Sequence, residues 1–82
     1  MNLTVKLFAS FAQYLPPEAK KQTMSVDVDE GVRVGQVLLQ CGVPLDECRL
    51  VIINGITHTN PAFSLEMELF PGDTLAVLPK VH

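Results

Sequence analysis

Leu69-Phe70-Pro71-Gly72-Asp73-Thr74-Leu75-Ala76-Val77-Leu78-Pro79-Lys80-Val81-His82 is the stretch whose reading decides the fold. Pro71-Gly72-Asp73 is a turn: proline presets φ at the second position, glycine supplies a positive φ at the third, and aspartate can hydrogen-bond nearby backbone. The apolar run from Thr74 to Leu78 is long enough for a strand and too short for a helix. Pro79 cannot donate a ladder hydrogen bond, so it ends that strand or sits at an edge. Lys80, Val81 and His82 follow as a short tail.

Working outward, Leu3, Val5 and Leu7 alternate with Thr4, Lys6 and Phe8, which predicts a half-buried first strand over Leu3–Phe8. Ser10-Phe11-Ala12-Gln13 has the form of a capping box and predicts a short helical turn over 10–15, stopped by Pro16-Pro17. Met24, Val26 and Val28 alternate with Ser25, Asp27 and Asp29, a second strand over Thr23–Asp29. Val34, Val37, Leu38 and Cys41 fall at i, i+3, i+4 and i+7, the apolar stripe of a helix over 33–41. Gly42 and Pro44 mark its stop. Its start is soft: Arg33 has no acceptor for the first amides, and Gly35 costs about 1 kcal/mol against alanine.

Leu50-Val51-Ile52-Ile53 reads as an interior strand, Asn54-Gly55 as a tight hairpin turn, and Ile56–His58 as a short edge strand. Residues 62–68 are ambiguous, with Phe63, Leu65 and Met67 alternating as in a strand. The order β-β-α-β-β-β defines an α+β domain with the helix on one sheet face. With the first and last strands parallel neighbours, the sheet closes as a β-grasp of four to five strands; periodicity alone does not give that pairing. Leu3, Val5, Leu7, Val26, Val34, Val37, Leu38, Leu75 and Val77 are the expected core.

The 82 residues are expected to form a single domain, 1–82, with 80–82 as its tail. A chain this short buries about 60–65% of the surface that its unfolded form exposes. A hydrophobic content of 48% argues for a packed globule rather than a disordered segment. The net charge of −3 disfavours nonspecific binding to nucleic acid or to an anionic membrane, and would steer a basic partner toward the chain. No apolar run approaches the length of a membrane span and no signal-peptide pattern is seen, so a cytoplasmic location is expected.

Cys41 and Cys48 are too far apart for a redox or zinc motif and read as two small, partly buried thiols. His58 reads as a solvated side chain, and Asp27, Asp29 and Glu30 as a solvated acidic strand end. No catalytic constellation, metal site or phosphate loop is found, so no enzyme activity and no cofactor are expected.

In its order and spacing of motifs the chain resembles the MoaD/ThiS family of ubiquitin-like sulfur carriers. The resemblance rests on Val5-Lys6-Leu7-Phe8-Ala9, Glu30-Gly31-Val32-Arg33-Val34 with Val37-Leu38-Leu39, Ile53-Asn54-Gly55, and Phe70 through Pro79, and so spans nearly the whole length. It implies a β-grasp fold. It also implies a C-terminal carboxylate that an adenylating enzyme activates and converts to a thiocarboxylate, for molybdopterin or thiamin thiazole synthesis. The family ends in Gly-Gly after a Pro-rich segment; here Pro79-Lys80-Val81-His82 stands in that segment's place without the two glycines.

The partners expected from the resemblance are an adenylating enzyme and a synthase-type protein, with the free chain a monomer. In the last strand Ala76 and Leu78 share the face opposite Leu75 and Val77. Ala76, Leu78, Pro79, Lys80, Val81 and His82 are therefore the expected partner-binding residues, and the tail from Lys80 is expected to be mobile in the free protein. Three readings stay open: a sulfur carrier, a ubiquitin-like docking module or regulatory subunit that transfers no sulfur, and, weakest, a stand-alone enzyme.

Overall fold

The computed structural model describes residues 1–80. β1 (Asn2–Leu7) pairs antiparallel with β2 (Thr23–Asp27), setting Leu3 opposite Val26 and Val5 opposite Met24. β2 is shorter than its alternation suggests, but the pairing continues through backbone: Val28 N donates to Met1 O at 2.8 Å. Between the two strands a 3-10 turn (Ala9–Tyr14) buries Phe11.

Here the expected capping box is corrected. Phe8 is the N-cap and makes no side-chain cap, while Gln13 Nε2 donates to the Ser10 carbonyl at 2.9 Å. The chain turns one residue early, through Ala9 at φ 53°, so Ser10 already lies inside the turn.

Helix α1 (Val34–Gln40) buries Val34, Val37 and Leu38. Its stop is a full Schellman arrangement: Gly42 has φ 80°, Gly42 N donates to Leu39 O at 3.0 Å, and Val43 N to Leu38 O at 2.9 Å. Its start is satisfied from outside. Val34 N donates to Met67 O at 3.0 Å and Gly35 N to Leu65 O at 2.8 Å, while Arg33 N donates to Gln36 Oε1 at 2.8 Å. The segment that supplies those carbonyls begins with α2 (Pro61–Ser64), capped by Asn60 Oδ1, which accepts from Ala62 N at 3.1 Å. The strand-like alternation at 62–68 is thus not a strand. Asn-Pro starts a helical turn, and Phe63 is 75% exposed while Leu65 packs on the core.

β3 (Cys48–Ile53), β4 (Ile56–His58) and β5 (Thr74–Pro79) complete a five-stranded sheet in the order β2-β1-β5-β3-β4. β1 and β5 are parallel, with Val5 opposite Leu75 and Leu7 opposite Val77. This is the α+β, β-grasp arrangement, and all nine expected core residues are buried. Asn54 (φ 50°) and Gly55 (φ 86°) form the mirror-image turn between β3 and β4.

The turn before β5 is the hub of the molecule. Asp73 accepts from Phe70 N at 2.8 Å and from Asn54 Nδ2 at 2.9 Å, and Gly72 N donates to Asn2 O at 3.0 Å. One aspartate therefore registers β5 against the β3–β4 hairpin, while the adjoining glycine ties the turn to β1. Among the described residues no helix is long and apolar enough to cross a membrane.

Candidate docking face

The sheet has two unlike faces. Leu3, Val5, Leu7, Val51, Leu75 and Val77 point into the core. The opposite face takes the alternate residues. Across its middle row the register runs Lys6, Ala76, Ile52 and Thr57. In the next row Leu78 faces Leu50. Phe8 N donates to Val77 O, which brings Phe8 to the same end of β5. Phe8, Leu50, Ile52 and Leu78 are each half-buried, so an apolar strip crosses the sheet face opposite the core.

The six residues expected to bind a partner separate into three groups. Leu78 and Lys80 remain accessible on or beside this face. Ala76 lies on the outer face but is 6% exposed, because β5 is central and its small side chain sits between Lys6 and Ile52. Pro79 faces the core side opposite Cys48 and is buried. The Lys80 amide donates to Glu47 O at 2.8 Å, so the backbone leaves β5 tied to the entrance of β3. Val81 and His82 lie outside the described residues, and with them most of the expected mobile tail.

The residues that the sequence reading did not assign to this face are Phe8, Arg49, Leu50 and Ile52. Leu50-Val51-Ile52-Ile53 reads as covered on both sides, and the alternation that separates its faces exists only once β5 is its neighbour. Pairing with β5 forces Leu50 and Ile52 onto the face of Leu78 and Ala76.

The cysteines do not belong to the face. Burial pushes the Cys41 thiol up, and Cys48 is pushed up to about 11 by burial first, then by the charges of Asp46 and Glu47, with Lys80 opposing. Neither group has the thiolate character of a nucleophile at neutral pH. His58 closes β4 opposite Val51.

The comparisons with known proteins agree with this architecture. Mut7-C ubiquitin is the family whose model matches, over residues 1–82. Among solved structures, SAMP1 from Haloferax volcanii is similar at 27% identity and a TM-score of 0.66, covering 99% of this chain and 97% of that one. A molybdopterin converting factor subunit 1 from Pyrococcus furiosus, at 22% identity and a TM-score of 0.65, covers 98% of each chain and shares the fold. Among curated proteins no relative is found. The central parallel pair β1–β5, the crossover helix α1 and the match over the full length lead to one conclusion: the chain belongs to the Mut7-C ubiquitin family and is a MoaD/ThiS-like, ubiquitin-like protein.

Proposed function

We propose that this chain is a carrier-type ubiquitin-like protein rather than a catalyst. It docks on partner enzymes through the outer face of β5 and delivers its C-terminal segment to them. The observation that carries this reading is the half-buried strip of Phe8, Leu50, Ile52 and Leu78 on the open sheet face, directly beside the end of β5. An apolar strip in that place gains most when a second surface covers it, and Lys80 then lies beside that surface. Ala76 and Pro79 are buried in the free chain, which leaves Leu78 as the large side chain of the last strand for a partner to cover.

In the sulfur-carrier form of this reading, an adenylating enzyme activates the C-terminal carboxylate. A synthase-type partner then uses the thiocarboxylate for molybdopterin or thiamin thiazole synthesis in the cytoplasm. The resemblance to MoaD/ThiS proteins supports this form. A second reading keeps the docking and drops the sulfur: a ubiquitin-like module or regulatory subunit. The matching family carries the name Mut7-C ubiquitin rather than that of a sulfur carrier, which favours it.

Two measurements test these readings. Titration against the adenylating enzyme of the same organism should show binding by the wild type and none by Leu78→Glu, because docking would bury an unpaired charge. Unchanged affinity for the variant removes this face from the function. Intact mass after incubation with that enzyme, ATP and a sulfur donor separates the two forms. Replacement of one oxygen by sulfur marks the carrier, and an unchanged mass alongside intact binding marks the docking module.

A further inference from the structure

The net charge of −3 would attract a basic partner, yet the docking face carries the opposite sign. The reason is a register shift in β3. Cys48 faces Pro79 and Val51 faces Val77, and both Cys48 and Val51 are buried. Between those points β5 has one residue, Leu78, while β3 has two, Arg49 and Leu50. The extra residue is a bulge, and two inward residues three apart leave both Arg49 and Leu50 outside. Without the bulge, one of them would turn toward the core.

Arg49 therefore stands beside Leu50 and opposite Leu78. Lys6 stands opposite Ala76 in the neighbouring row. Lys80 follows the end of β5, and its charge acts on the Cys48 thiol at the entrance of β3 rather than in these rows. Lys6 and Arg49 make no ion pair among the described residues, whereas Arg33, elsewhere on the molecule, lies 4.0 Å from Glu66. The acidic side chain among the outer-face strand residues is Asp27, at the far corner opposite Asn2, where it pairs with the terminal ammonium of Met1. Asp46 and Glu47 lie at the entrance of β3, near enough to Cys48 to act on its thiol.

Resting on the docking reading above, we propose that Lys6 and Arg49 make this face selective for a protein surface that presents carboxylates around an apolar centre. At contact distance the local field outweighs the net charge, because charges further away than about 8–10 Å are screened by salt. An anionic membrane is the poorer fit. The strip's side chains are half-buried within a sheet rather than projecting for insertion, and the net charge of −3 repels such a surface.

The test uses isotope-labelled full-length chain and three amphipathic helical peptides that share one leucine stripe, flanked by Glu, by Gln or by Lys. The Glu peptide should shift the amides of Lys6, Arg49, Leu50, Ile52 and Leu78 and bind about tenfold more tightly than the Gln peptide, with the Lys peptide weakest. The double variant Lys6→Glu, Arg49→Glu, changed at surface positions, should reverse that order. Equal binding by all three peptides overturns the charge selectivity and leaves docking through the apolar strip standing. No shift on this face with any peptide overturns both. Binding to phosphatidylserine–phosphatidylcholine vesicles without a preference among peptides also overturns the proposal and assigns the face to lipid.

Discussion

The amide of Gly35 donates to the carbonyl oxygen of Leu65 at 2.8 Å, and a β-carbon on Gly35 would stand 3.2 Å from that same oxygen. The helix start is therefore a close backbone approach, and glycine is the residue that allows it. The Leu65 carbonyl has little room to retreat, because the neighbouring Met67 carbonyl accepts from Val34 N and Leu69 N donates to Val32 O. Helix propensity favours Gly35→Ala by about 1 kcal/mol, and displacing this docked segment costs more. Gly35→Ala should lower the urea midpoint, with a net loss of about 1 kcal/mol. A raised midpoint would show that the 65–69 segment yields freely.

Lys21 and Gln22 both adopt left-handed backbone, at φ 53° and 61°, in the tight turn that closes Lys20 against Thr23. Such conformations cost non-glycine residues roughly 1–2 kcal/mol each, and Asn-Gly is the pair that suits this turn. Replacing Lys21-Gln22 by Asn-Gly should raise stability by about 1 kcal/mol with no change in the denaturant slope. A changed slope would mean that the substitution alters the unfolded or folded ensemble rather than relieving the turn.

Cys48 stays a thiol in the folded protein well above its ordinary value of 9.0, at about 11. An acid whose folded pKa is raised stabilises the fold while the group is protonated in both states. That contribution is whole below pH 9 and is lost as pH rises toward 11. Stability measured from pH 8 to 11 should fall in that window, and fall less in Cys48→Ala after correction for the lost side chain. At pH 8 an alkylating reagent should label the half-buried Cys41 well before Cys48; equal rates would contradict the burial of Cys48.

What was legible in the sequence were the features that local chemistry dictates. Pro71-Gly72-Asp73 marks the turn, Asn54-Gly55 the hairpin, Gly42 the helix stop, and the period-2 and period-3.6 patterns mark nine core positions. What was not legible depends on neighbours distant in the chain. Gly35 looks like a flaw until Leu65 is placed above it. Residues 62–68 alternate like a strand until Asn60 caps a helical turn. Arg49 lies before the strand read from Leu50, until the pairing of Cys48 with Pro79 draws it in as a bulge. The candidate docking face was half legible for the same reason: Leu78 lies in the last strand's own pattern, while Leu50 and Ile52 join it only through pairing.

Leu38 and Leu78 should separate folding from docking. Leu38 is fully buried on the inner side of α1. Its truncation to alanine removes core contacts and leaves a cavity, so Leu38→Ala should cost about 2–5 kcal/mol of stability. A cost below about 1 kcal/mol would mean that this helix face is not the core. Leu78 is half-buried on the open face, where a polar replacement keeps its solvent and the strand keeps its hydrogen bonds. Leu78→Glu should therefore cost about 1 kcal/mol, the share of a leucine's transfer energy that half-burial supplies. Circular dichroism and the denaturation midpoint measure this first effect, and partner titration measures the second. If Leu78 serves docking, binding disappears from a protein that is still folded. If Leu78 only completes the sheet, stability and binding fall together, and Leu38→Ala gives the same ratio of the two losses.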